Sequence, residues 1–282
     1  EIVYLYTMKG IPLVFKGFFR NINASATVDA SVTKASWKIV ETANENLYTT
    51  YVNQGATTSS ITYRSPISRE RFIKLYKNPN DIQRITIRSA NLRELPATKL
   101  INCDLLDFAY NQLKTFPNFS FIAPSLSTLN IMRNPFYLSD VESERTFNSA
   151  VLAKIPTTLT TLNMEGTFYG SIERNIISAR LSNLINFSCG RGGGAYFHPD
   201  TRSPDGSSAF CPDVPGSVTS YNITSNDFRS VDNNSQPSFG ANGSYSYKEL
   251  PNLVNLSVNG NYYLSDNAHS LASANTISTI NY

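Results

Sequence analysis

The side chains with the chemistry for metal binding or catalysis gather in one stretch of this sequence. Between residues 190 and 216 lie His198, Asp200, Asp205, Cys211 and Asp213. Imidazole, thiolate and carboxylate are donors to zinc, and carboxylates to calcium. Yet structural zinc takes its ligands at short fixed spacings and a calcium loop alternates its oxygens, and neither spacing occurs here. The stretch opens on Gly190-Arg191-Gly192-Gly193-Gly194 but lacks the Gly-Lys-Ser/Thr ending and the G-x-G-x-x-G spacing that cradle a phosphate. Nucleophilic catalysis has little to work with: there is no Gly-x-Ser-x-Gly elbow, and His198 and His269 are the only histidines. Carboxylate pairs exist at Glu142/Glu144 and Asp104/Asp107, and nothing in the sequence encloses them. The expectation is a protein with no catalytic residues, no metal and no cofactor.

Ten of the 27 residues from 190 to 216 are Gly or Pro, which predicts a long loop leaving a rigid scaffold. Such a loop serves either as a packing or subunit contact or as a ligand contact, and Arg191, Tyr196, Phe197 and His198 are its candidate contact residues.

The scaffold is legible as a repeat. The spacing apolar-x-x-apolar-x-apolar-x-x-Asn-x-apolar occurs in full four times, at Cys103–Leu113, Leu126–Phe136, Val218–Phe228 and Leu253–Tyr263. Chance would supply fewer than one. Weaker copies begin at Ile82, with Ala90 in the Asn slot, at Leu159, with Thr167 there, and at Leu184, with Gly192 there. A last copy begins at Ile277 and the sequence stops inside it. Within each copy the segment apolar-x-apolar predicts a short strand with alternate side chains inward, and successive strands are expected to stack into a parallel sheet.

This pattern resembles the leucine-rich repeat family, L-x-x-L-x-L-x-x-N/C-x-L, over residues 82–282. The resemblance implies an α/β solenoid, a horseshoe of about eight irregular repeats of 21–35 residues with the last truncated. It also implies that Asn111, Asn134, Asn226 and Asn261 hydrogen-bond the backbone where the chain leaves the sheet. The concave strand face would then be the binding surface, with Arg84, Arg88, Asp107, Tyr110, Asn130, Arg133 and Asn163 as candidate contacts, since Arg and Tyr dominate interface energetics. Helices are expected on the returns: one from Ser139, with Glu142 at capping-box spacing, towards Pro156, a second through Ile172–Leu181 and a third from Ser265.

Residues 1–75 read as a separate β-rich domain or cap, and 76–282 as the repeat region. Strand-like runs lie at Ile2–Thr7, Leu13–Arg20, Ala35–Val40, Leu47–Val52 and Ser60–Tyr63, and Pro66 with Phe72, Ile73 and Leu75 predicts a helix. The run Gly10–Arg20 beside an irregular repeat rich in Asn, Ser and Thr is similar to tail and baseplate structural proteins of tailed bacteriophages.

Composition agrees with a weakly charged interaction protein. Charged residues make up 16%, while Asn, Ser and Thr supply 88 of 282. A net charge of +3 without a basic cluster predicts no nucleic-acid binding, and no apolar run predicts a membrane span. Cys103, Cys189 and Cys211 make no disulfide framework. Seven N-x-S/T sequons, Asn23, Asn118, Asn222 and Asn255 among them, are within what this composition produces by chance. With Glu1 first, the sequence reads as part of a longer or processed chain. The expected role is a virion component, in tail or baseplate, that contacts other structural proteins or a host surface receptor within a larger assembly. The alternative is a secreted or cell-surface module that binds a protein or a glycan.

Overall fold

Runs of alternating apolar and polar residues bounded by Asn, Gly, Pro and Ser favour short strands over helices, and strands dominate the computed structural model. It describes residues 13–19, 24–30, 36–41, 50–52, 58–63, 69–76, 80, 82–145, 147–168, 176–189, 214–222, 250–257 and 279–281. The chain divides into two compact units, 1–113 with 117–126, and 114–116 with 127–282.

The first unit holds nine strands among its described residues: β1 (Leu13–Phe19), β2 (Ala24–Ala30), β3 (Ser36–Glu41), β4 (Thr50–Val52), β5 (Thr58–Tyr63), β6 (Arg69–Tyr76), β7 (Ile82–Arg88), β8 (Leu92–Glu94) and β9 (Leu105–Asp107). One sheet runs β4-β3-β6-β1-β8, antiparallel throughout. In the other, β5, β2 and β7 are antiparallel, and β7 pairs with β9 in parallel, Ile85 beside Leu106. The chain passes from the second sheet to the first between β7 and β8. Ser89 (φ 54°) and Asn91 (φ 48°) make that turn in the left-handed region, where Asn is among the better-tolerated residues.

The segment expected to form a helix after Pro66 is instead strand β6. It sits between β1 and β3, with Ile73 opposite both Phe15 and Ile39. Ladder bonds on both sides outweigh a weak local helix preference, and Phe-Ile-Lys-Leu-Tyr is rich in the aromatic and β-branched residues that suit a sheet. Of the other expected strands, four fall on β1, β3, β4 and β5, while Ile2–Thr7 lies outside the described residues.

The second unit is an α/β arrangement built on a parallel, open sheet with few helices: β10 (Thr128–Asn130), β11 (Thr161–Asn163), β12 (Asn186–Ser188), β13 (Ser220–Asn222), β14 (Asn255–Ser257) and β15 (Thr279–Asn281). Each strand from β9 to β15 begins two residues after a predicted repeat start. Register keeps equivalent positions together, so Leu129, Leu162, Phe187, Tyr221, Leu256 and Ile280 align in one row, and the first five are buried. Phe116, Phe136, Phe147 and Phe168, all buried, form an aromatic cluster in the same unit. Phe168 packs on the other three at centroid distances of 5.8, 5.5 and 5.5 Å, separations at which ring pairs attract beyond simple burial.

The returns are less helical than expected. Ser139 ends a 3-10 turn, Phe136–Leu138, and Glu142–Glu144 forms another. The helix here is one turn, α2 (Ser149–Leu152), following α1 (Phe119–Ile122) in the first unit. Asn148 caps α2: its Oδ1 accepts from the Val151 N–H at 3.0 Å. Ser139 Oγ instead accepts from Val141 N, a local turn that competes with helix initiation. From the second expected helix, α3 (Ile176–Arg180) is present, and the Arg180 guanidinium donates to the carbonyls of Leu152, Ala153 and Ile155 at the end of α2. The helix expected from Ser265 lies outside the described residues.

Candidate interaction surface

A strand of three residues with its middle side chain inward must turn its first and third side chains outward. In β10–β14 this produces two rows in register. One is Thr128, Thr161, Asn186, Ser220, Asn255; the other is Asn130, Asn163, Ser188, Asn222, Ser257. All ten are short, polar and uncharged, and they stand about 4.8 Å apart along each row.

The third-position row does structural work. Asn163 Oδ1 accepts from Glu165 N at 3.1 Å and Asn130 Oδ1 from Met132 N at 3.2 Å. Asp107 does the same in the first unit, accepting from Ala109 N at 3.1 Å. In each case the side chain folds over its own backbone two residues on and starts the turn out of the sheet. The turn then passes through the left-handed region at one fixed position: Ser89 (φ 54°), Tyr110 (φ 59°), Arg133 (φ 58°) and Gly166 (φ 61°). For residues with a Cβ that conformation costs about 1–2 kcal/mol.

The next residue is the asparagine slot. Asn111, fully buried, donates through Nδ2 to the carbonyls of Phe108 (2.8 Å), Ala109 (3.3 Å) and Ile87 (2.7 Å). Its Oδ1 accepts from the N–H groups of Ala90 and Leu92 at 3.0 and 3.1 Å. One side chain thereby ties its own turn to the preceding one. Asn134 repeats the bond three residues back, to Ile131 O at 2.9 Å. In the slot occupied by Thr167, the hydroxyl makes the equivalent bond to Met164 O. Asn226 and Asn261 lie outside the described residues.

The candidate contacts divide between the units. In the first, Arg84, Thr86 and Arg88 alternate outward along β7. Arg84 Nε donates to Asp104 at 3.3 Å in an exposed pair, and Arg88 Nε donates to Asp107 at 2.8 Å. Asp107 is only 6% exposed, so its carboxylate sits beneath Arg88 and does not present itself to solvent. The hydrogen bond to Asp107 raises the Arg88 pKa above its ordinary value; burial opposes it, and the charges of Asp107 and Tyr110 add to it. Tyr110 is 46% exposed. Ser89 N donates to Ala109 O at 3.2 Å, which brings the residues adjoining Arg88 and Tyr110 together. In the second unit Asn130 and Asn163 are register partners, and Arg133 N donates to Glu165 O at 2.8 Å. Arg191, Tyr196, Phe197 and His198 lie outside the described residues, as do Asp200, Asp205, Cys211 and Asp213.

Glu165 was not marked by its sequence, yet it organises this part of the face. Its Oε1 accepts from Ser188 Oγ and, at 3.0 Å, from Asn222 Nδ2, which links three successive strand turns. The available signal was an acid two residues after a strand asparagine, directly before Gly166. Cys103 and Cys189 are buried, and burial pushes the Cys103 thiol up to about 12. Among the described residues no group of three side chains is placed to hold a metal, and no helix is long and apolar enough to cross a membrane. No protein-family model, curated protein or solved structure matches the chain.

Proposed function

We propose that the chain is a non-enzymatic structural and interaction protein with leucine-rich-type repeats, acting as a tail or baseplate component of a bacteriophage virion. The observation that carries the reading is the recurring turn. An Asx residue at the third strand position, a left-handed residue and a buried hydrogen-bonding slot follow one another at Asp107–Tyr110–Asn111 and at Asn130–Arg133–Asn134, and again at Asn163–Gly166–Thr167. Polar groups bonded to their own backbone in this way hold a rigid face on which contacts can be presented; they do not hold a reacting group. The virion setting draws its support from composition, with few charges and abundant Asn, Ser and Thr in a β-rich chain.

The test is to fractionate native source material by size and identify by mass spectrometry what accompanies the chain. Recovery with tail or capsid proteins in a megadalton fraction is the expected result. Recovery as a free or membrane-anchored glycoprotein refutes the virion assignment and supports a cell-surface recognition module in its place.

A further inference from the structure

The outward side of β7 and the turn after β9 combine three things that the polar rows of the second unit lack: exposed guanidinium groups, an exposed carboxylate and an exposed aromatic ring. Arg84 pairs with Asp104, both about half exposed. Arg88 pairs with Asp107, whose position is fixed from behind by the Ala109 N–H. Tyr110 follows in the same turn, in a left-handed conformation that a glycine or asparagine would adopt at lower cost, and with nearly half its surface in water. Core packing does not account for a tyrosine there.

We propose that Arg84, Asp104, Arg88 and Tyr110 form a binding site for a neutral saccharide, a proposal that rests on reading the chain as a non-catalytic interaction protein. A sugar hydroxyl donates one hydrogen bond and accepts others, so it is matched by a guanidinium and a carboxylate held side by side. Each arginine here is compensated by an aspartate, which leaves the directed donors and acceptors in place while the net charge is close to zero. An anionic ligand would call for an uncompensated cation. The Tyr110 ring offers an apolar platform for the C–H face of a sugar ring, and Arg84 and Arg88, four residues apart on one strand, stand roughly 13 Å from each other, long enough to engage a short oligosaccharide.

The experiment is an array of neutral oligosaccharides (gluco-, galacto-, manno- and N-acetylglucosamine oligomers), with polysialic acid and polyglutamate beside them, probed with the full chain. Three variants are compared, each first shown by thermal melting to be folded: Tyr110→Asn, which keeps the left-handed backbone, Arg84→Gln at the exposed pair, and Ser220→Ala on the second unit as a control. The expected result is binding to at least one neutral class, weakened about fivefold or more by Tyr110→Asn and by Arg84→Gln and unchanged by Ser220→Ala. Binding to none of the neutral classes, preference for the polyanions, or indifference to the first two variants overturns the proposal. If the saccharide site fails while the chain still fractionates with virion proteins, only this inference falls and the structural reading stands.

Discussion

Replacing Asn111 by alanine removes five hydrogen bonds from a fully buried position and leaves nothing to substitute for them. The N–H groups of Ala90 and Leu92 lose their shared acceptor, and the carbonyls of Ile87, Phe108 and Ala109 lose a donor. A buried donor left unsatisfied costs about 1–3 kcal/mol. Two such donors set the scale, and carbonyls tolerate loss better than N–H groups, so the expected destabilisation is about 4 kcal/mol. Asn111→Thr is expected to cost nearly as much, about 3–4 kcal/mol, because a hydroxyl in this slot keeps only the bond three residues back, as Thr167 does, and loses the acceptor shared across the two turns. Urea unfolding followed by tryptophan fluorescence is the assay. Trp37, the only tryptophan, belongs to the first unit, as does Asn111, so its signal reports the relevant transition. With a slope of about 2.5 kcal/mol/M the alanine variant should unfold about 1.6 M earlier. A loss below about 1 kcal/mol for alanine, or a threonine variant as stable as the parent, would refute the claim that this side chain links successive turns.

Phe168→Ala should cost about 3–5 kcal/mol, read by circular dichroism on the full chain, because it removes the ring on which Phe116, Phe136 and Phe147 all pack; a loss under about 1.5 kcal/mol would mean the cluster is not a core. Gly166→Ala places a Cβ at φ 61° and should cost about 1 kcal/mol in a thermal melt, with Gly166→Asn costing less; equal melting temperatures for all three would contradict the left-handed assignment. The folded-state pKa of Cys103 is raised to about 12, above the ordinary thiol value of about 8.5. Its contribution to stability is therefore complete below the unfolded-state value and is lost as pH rises from about 8.5 towards 12. Denaturation at stepped pH should show that loss shrinking in Cys103→Ala relative to the parent, and mass-spectrometric mapping should find Cys103 unalkylated by iodoacetamide at pH 8 until the chain unfolds.

The strands of the repeat region were legible because one inward residue per strand, at a fixed offset from the slot, is a strong signal even when the slot holds Ala90 or Thr167. Length was no obstacle, since the signal lies in the three residues of each strand and the turn after them. Strand β6 was misread because Phe72, Ile73 and Leu75 satisfy a helical stripe as well as a strand, and the choice is made by partners β1 and β3, far away in sequence. The helix expected from Ser139 failed for a local reason: its hydroxyl closes a turn on Val141 before a helix can use it. Of the candidate contacts, Arg84, Arg88, Asp107, Asn130 and Asn163 lie on strands and Tyr110 and Arg133 in the turns after them, but sequence alone gave no sign that Asp107, Asn130 and Asn163 would bond their own backbone. Ser, Asn and Asp read identically whether they meet a ligand or a nearby N–H. Glu165 escaped notice because its two partners, Ser188 and Asn222, are 23 and 57 residues further along the chain.

The unequal distances between strand starts carry a consequence for how this chain tolerates change. From β9 to β10 the step is 23 residues, and from β13 to β14 it is 35, yet both strands are three residues long. In a flexible-loop approximation, extending a connection from 23 to 35 residues adds only about 0.4 kcal/mol of closure entropy. Inserting a single residue into a strand, by contrast, would turn its inward side chain to water and its polar neighbours into the core. Insertions and deletions are therefore cheap in chain entropy where they fall between the strands but outside the slot turns and the buried phenylalanines, and prohibitive within the strands, so a lineage of such chains could acquire new surface loops one at a time while the sheet that presents them stays fixed.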